Sequence, residues 1–362
     1  MNNTLRFISV IYMMLLSVGL FAHVEIIPGL LNIVKRDAWI SVLLVFIILP
    51  LWLYIFNKII SIIKKRSIIT VLHDQNKKFI YYLLLLPLAI YMILNAIVTS
   101  KDIILWSQLS YMQGFDNITL ALVLLIVCLI CSESGFISIG ILSSILCPLV
   151  ILLGFFISFA NIQKKNYDLL FPAFSDGYLP AIQGLLFTSL PILELFVLLF
   201  LTPSLKKVIN KKQLSMLGLF IIFLMLGPTI GAIVEFGPQQ ASIYRYPAYE
   251  QWRLITVGKY FSHADFFAIF QWLSGGVIRI SLFILIASLI FSKAKQNKRV
   301  IRFIYLILLA FCIYPVNQNQ FYYYLYEYIR PITFFFLVTH ITFLMIYLWI
   351  NQRKILGDDS TS

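Results

Sequence analysis

Residues Phe7 to Val34 read FISVIYMMLLSVGLFAHVEIIPGLLNIV. A helix needs about 20 mostly apolar residues to cross the hydrocarbon core of a bilayer, and these 28 are enough even if the helix is interrupted. His23 and Glu25 sit inside the run and Pro28-Gly29 follows them. Proline removes a backbone donor and glycine loosens the chain, so the sequence predicts an unwound stretch whose free carbonyls and amides face a cavity. The competing reading is an ordinary helix end, with Pro28-Gly29 just short of the membrane interface.

Outward from this segment the whole chain has the same character. Of 362 residues, 61% are hydrophobic, 16% aromatic and 12% charged, with a mean hydropathy of +0.92. A water-soluble domain carries about 25% charged residues, so a soluble fold is excluded, as is a membrane-anchored enzyme with a large soluble head. Apolar runs of helix length fall at about Phe7–Val34, Ala38–Ile63, Phe79–Trp106, Ile118–Cys131, Phe136–Ala160, Leu179–Leu201, Leu214–Glu235, Phe266–Phe291, Val300–Tyr314 and Pro331–Ile350. The expected fold is an all-α polytopic membrane protein of about ten transmembrane helices, forming a single membrane domain across 1–362.

Basic residues test the count, because Lys and Arg accumulate in cytoplasmic loops. With the N-terminus inside, 18 fall in inner segments and 9 in outer ones, the latter including Lys101, Lys259 and Arg330. The asymmetry predicts both termini on the cytoplasmic side. It also accounts for the net charge of +13 by anchoring to anionic membrane lipids, without nucleic acid. Trp106, Trp252, Tyr322, Tyr323, Tyr324 and Trp349 lie near span ends, where aromatic belts are expected. No cleavable signal peptide is expected, since Arg6 is the lone early basic residue and no small-residue cleavage site follows the apolar run.

No soluble-enzyme motif is present, so no catalytic residue is assigned. His23, His73, His263 and His340 lack metal-ligand spacing, and Cys128-x-x-Cys131 lies in an apolar run without a second pair. These point to no metal and no cofactor. What remains is the set of polar residues inside apolar spans, which are costly in lipid and mark functional positions. Span six carries Gly184, Thr188, Ser189, Pro191 and Glu194 within one helix length. It opens the second half of the chain as span one opens the first. The predicted organisation is therefore a five-plus-five inverted repeat, 1–160 and 161–362, with broken helices one and six around a midplane site. Arg279, in the middle of span eight, faces the bundle interior, with Glu194 or Glu235 as partner. The candidate ligand-binding residues are His23, Glu25, Pro28, Gly29, Gly184, Thr188, Ser189, Glu194 and Arg279. The long connection from Gly237 to Asp265 reads as a lid, a docking surface or a surface helix.

Several stretches, in order, resemble one family. They are Asp37-Ala38-Trp39-Ile40-Ser41; Tyr167-Asp168-Leu169-Leu170-Phe171-Pro172; Asp176-Gly177-Tyr178-Leu179-Pro180; Tyr246-Pro247-Ala248-Tyr249-Glu250-Gln251-Trp252-Arg253; and Gln271-Trp272-Leu273-Ser274-Gly275 with Arg279. Together they resemble the spore germination proteins that form the B-type, permease-like subunit of nutrient germinant receptors, a branch of the amino acid, polyamine and organocation transporter superfamily. The resemblance implies broken helices one and six and a location in the spore inner membrane. It implies a small nutrient ligand (an amino acid, sugar or nucleoside), together with an A-type membrane subunit and a C-type lipoprotein as partners. Two other readings stay open: an amino acid or ion transporter on the same fold, and a membrane enzyme of the polysaccharide polymerase kind, for which the Gly237–Asp265 loop is the lone candidate site.

Overall fold

Apart from one isolated bridge pairing Leu5 with Leu205, every regular element among the described residues is helical. The computed structural model describes residues 4–75, 77–255 and 264–357, so Lys259 and His263 lie outside the described residues. The α-helices are α1 (Phe7–Leu20), α2 (Ile27–Val34), α3 (Ala38–Ile63), α4 (Ile68–Asp74), α5 (Lys78–Ser110), α6 (Asn117–Ala160), α7 (Leu179–Thr188), α8 (Leu190–Leu193), α9 (Leu198–Leu201), α10 (Lys211–Phe236), α11 (Pro238–Ile243), α12 (Pro247–Arg253), α13 (Phe266–Phe291), α14 (Lys298–Ile313), α15 (Gln318–Tyr324), α16 (Arg330–Ile350) and α17 (Gln352–Gly357). Among the described residues, seven continuous helical stretches are long and apolar enough to cross a membrane. The chain is thus an all-α, multi-pass membrane protein.

Two of those stretches contain sharp turns. The Phe7–Ile63 stretch breaks at Lys35, whose φ of 56° ends α2 before α3 begins. α6 has 44 residues, which at 1.5 Å per residue would exceed twice the bilayer core. It bends at Gly135, where φ is 83° and ψ 178°, a conformation that glycine adopts without a Cβ penalty. Contacts between connecting segments fall into two groups. At one end Leu5 bonds to Ser204 and Lys206, Thr202 to Arg66, Arg66 to Ile355, and Gln296 to Glu133. At the other, Asn32 bonds to Ser242, Phe174 to Asp37, Asn161 to Gln251, and Lys101 to the carbonyls of Cys312 and Tyr314.

α13 and the stretch from α7 to α9 are the most enclosed parts of the bundle, while α6 is the outermost, with Val123, Ile130, Leu152 and Phe155 exposed. That apolar exterior suits lipid, which offers no polar partner to the backbone. The expected aromatic belt holds for Tyr323, Tyr324 and Trp349, which are exposed; Trp106, Trp252 and Tyr322 are instead buried in the packing. The four cysteines are free; Cys128 packs under α13, its carbonyl accepting from Ser281 Oγ.

One close approach positions the centre. A Cβ on Gly275 would lie 2.7 Å from Leu20 Cβ and 2.9 Å from the Leu16 carbonyl oxygen, so only glycine lets α13 cross α1 so tightly. Residues four apart share a helix face. Arg279 therefore enters the bundle one turn beyond that crossing, beside the point where α1 is interrupted.

Candidate functional site

The interruption in the first helix is a π turn, Phe21–Ile26, in which the Ile27 amide donates to Ala22 O five residues back. Such turns widen the helix locally and recur at functional sites. Here the turn lies upstream of Pro28-Gly29, which fold into the regular first turn of α2. Proline is tolerated there because its missing donor would have no partner. The second interruption runs from Ser189 through the four-residue α8 into a 3-10 segment, Glu194–Val197. A further π turn, Leu325–Ile329, precedes Arg330.

These interruptions bring four buried charges together. Arg279 Nη1 and Nη2 donate to Glu194 Oε2 and Oε1 at 2.7 and 2.6 Å, the fork-on-fork geometry of the strongest charged hydrogen bonds. Tyr91 donates to the same carboxylate at 2.5 Å. Arg330 pairs with Glu25 and donates to Asn95 Oδ1 at 3.0 Å. Thr99 joins the pairs: its hydroxyl donates to Glu25 Oε1 at 2.8 Å and accepts from Arg279 Nε at 3.2 Å. The ring of Phe21 lies between the guanidiniums, 4.4 Å from Arg279 and 4.8 Å from Arg330. None of the four charged residues is more than 1% exposed. Desolvating two cations and two anions is tolerated because each is paired with an opposite charge and takes a further hydrogen bond. The cluster is neutral overall and ties both interrupted helices to α5, α13 and α16.

Of the residues picked out in the sequence, Glu25, Glu194 and Arg279 meet in this cluster. Between the two proposed partners of Arg279, the structure selects Glu194; Glu235 instead lies 3.8 Å from Lys165 and accepts from Asn161. His23 points away, its Nε2 at 2.7 Å from Leu224 O on α10. Gly29 packs beneath Tyr326 and Phe187. Gly184 and Thr188 serve packing against α3, where the Thr188 hydroxyl donates to Ser41 O at 3.2 Å and Ser41 donates to Ala181 O. Ser189 is buried, its hydroxyl without a partner among the described residues.

Sequence reasoning missed Arg330, which it counted among loop charges, and the α5 residues Tyr91, Asn95 and Thr99. Lys101, also counted in a loop, is buried, its ammonium capping the end of α14. A signal for the α5 residues existed. Tyr91, Asn95, Thr99, Asp102 and Trp106 recur every three or four residues through an apolar helix, which is one polar stripe on one face. One turn beyond Thr99, Asp102 accepts from Tyr322 at 2.7 Å and from Tyr246 and Arg245 at 3.2 Å. Arg245 also donates to Tyr326 and lies over the Tyr322 ring. Burial, reinforced by Asp102, pushes the Tyr246 phenol well above its ordinary range.

A family model described as "Spore germination protein" matches residues 3–321. A Bacillus anthracis protein, Spore germination protein XB, is 33% identical over 351 residues, covering 96% of this chain and 99% of its own length.

Proposed function

The chain belongs to the spore germination protein family, and from that premise we propose that it is the nutrient-binding membrane subunit of a germinant receptor in the spore inner membrane. The observation that carries the reading is the paired Arg279–Glu194 and Arg330–Glu25 lock across two interrupted helices. Interrupted helices expose backbone polar groups that a small ligand can use, and a lock across them has discrete made and broken states for the ligand to select. In this reading Pro28, Gly29, Ser189 and the neighbouring backbone border the nutrient, with His23, Gly184 and Thr188 supporting the helices around it. Glu25, Glu194 and Arg279 set the charge and couple binding to helix movement. An A-type membrane subunit and a C-type lipoprotein receive that movement.

The architecture we infer is ten crossings in a five-plus-five inverted repeat, 1–160 and 161–362. The two groups of loop contacts support it, since successive connections alternate between them once α6 is divided at Gly135 and α14 is counted. Interrupted helices opening each half support the repeat. Arg6, Arg66 and Lys206 gather at one end, which supports cytoplasmic termini. Burial of Lys101 and Arg330 removes two charges from the outer tally and widens the asymmetry.

The test is dipicolinate release by spores lacking this gene alone, against single nutrients and pairs, with restoration by the intact gene. Loss of response to one nutrient is expected. Unchanged germination with lost uptake of an amino acid in growing cells would replace the receptor by a transporter.

A further inference from the structure

Beyond Asp102, at the end of the bundle that carries α11 and α12, lies a cavity of about 420 Å³. That is within the range of small-molecule sites, and none of the residues of the central charge cluster lines it. Trp106, Tyr111 and Tyr249, together with Tyr246, form its aromatic wall. Trp106 stands edge-on to Tyr249 at 5.5 Å, Tyr249 stands edge-on to Tyr111 at 6.2 Å, and Trp106 is fixed from behind by stacking on Trp272 at 4.0 Å. Each wall residue is therefore held by a neighbour rather than free to collapse inward.

Four charged side chains line the cavity, and they are not all paired. Arg253 is taken by Glu250 at 3.0 Å, and Arg245 by Asp102 at 3.2 Å. Asp265 is left over: among the described residues no cation pairs with it, and its Oδ1 is buried without a hydrogen-bond partner. Its Oδ2 takes a long contact, 3.4 Å, from the Tyr249 hydroxyl, and the Tyr111 phenol also reaches the carboxylate. Trp106, 1% exposed, also has an indole N–H without a partner among the described residues. Unpaired buried polar atoms are costly, and here an acceptor and a donor both lie without a partner in residues that line the cavity. A carboxylate without a cation beside aromatic rings is the environment that attracts an organic ammonium, through the charge and through the ring quadrupoles.

We propose that this cavity is a second ligand site, separate from the central lock, that takes a small ammonium-bearing solute between Asp265 and the rings of Trp106, Tyr111 and Tyr249. The proposal rests on the reading of the chain as a nutrient-binding subunit. Its test uses the full-length chain in nanodiscs, with tryptophan fluorescence followed against ethylamine, L-alanine and L-lactate. Saturable changes with ethylamine or L-alanine and none with L-lactate are expected. Asp265→Asn should raise the apparent Kd at least tenfold at an unchanged melting temperature, and Tyr111→Ala, at a partly exposed position, should raise it several-fold. Equal binding of L-lactate, no saturable change with either ammonium probe, or a Kd within twofold of wild type in both variants would overturn the site. If Asp265→Asn weakens binding while gene loss leaves germination intact, the site stands and the receptor reading falls. The reverse pattern removes the site and leaves the receptor.

Discussion

Replacing Glu194 by Gln keeps the side chain's shape and removes its charge. Arg279 then loses the anion it bonds directly while fully buried, and Tyr91 loses the charged acceptor it reaches at 2.5 Å. Breaking a buried pair from one side costs about 3–5 kcal/mol, because it strands the other charge. Glu25 offsets part of this, but it reaches Arg279 only through the Thr99 hydroxyl. The expected loss is therefore toward the lower end of that range, about 3 kcal/mol, or roughly a hundredfold in the equilibrium between locked and unlocked bundles. Two assays read it. Purified Glu194→Gln should unfold at a clearly lower denaturant concentration, and Glu194→Gln with Arg279→Gln, which strands no charge, should recover most of the loss. In spores, the nutrient concentration for half-maximal dipicolinate release should shift at normal protein abundance. A single variant within 1 kcal/mol of wild type, with an unchanged dose response, would refute the assignment of this pair as the lock.

The other variants probe separate parts of the structure. Thr99→Val removes the bridge between the two ion pairs; hydrogen bonds to charged groups contribute about 1.5–3 kcal/mol. The coupling between Glu25→Gln and Glu194→Gln in a double-mutant cycle should fall toward zero in that background. Gly275→Ala should destabilise by about 1–3 kcal/mol through overpacking, because the new methyl meets the Leu16 carbonyl and Leu20; a melting temperature equal to wild type would show that α1 and α13 can part without cost. For sidedness, Lys207→Cys and Gln240→Cys are both exposed and should label from opposite faces of sealed vesicles, Lys207→Cys from the cytoplasmic face. Background labelling stays low because three of the four native cysteines are buried.

What was legible in the sequence was whatever has a one-dimensional signature. Apolar length marked the spans, and a charge inside a span marked Glu25, Glu194 and Arg279. Arg330 carries the same cost but sits within twenty residues of the tyrosine-rich end of α15, so composition alone assigned it to a loop. Only the inward turn of the Leu325–Ile329 segment shows that it belongs to the lock. Pro28-Gly29 misled in the opposite sense. Proline is a breaker in a helix interior but a good first residue, and which role it takes depends on the π turn just before it, which has no composition signal. The polar stripe on α5 was readable by spacing, yet its residues are individually unremarkable for a membrane helix. Only their partners on four other helices make them part of one cluster.

The energetics of the cluster constrain how a nutrient could act on it. Moving a two-state protein from 1:99 to 99:1 takes a ligand that binds one state about 10⁴-fold more tightly, a difference of about 5.5 kcal/mol. That covers the cost of opening one buried pair, about 3–5 kcal/mol, and falls below the cost of opening two. A small ligand with a single charged group can replace one partner of Glu194–Arg279 or of Arg330–Glu25, but it cannot compensate both. The Thr99 bridge and the shared Phe21 ring mean that disturbing one pair shifts the seat of the other. A one-pair exchange can therefore be felt at both interrupted helices. An uncharged nutrient gains no ion pair and must draw its differential affinity from hydrogen bonds and packing alone. Its response should depend less on Glu194→Gln than that of a charged one, and measuring both dose responses in the same variant spores tests this directly.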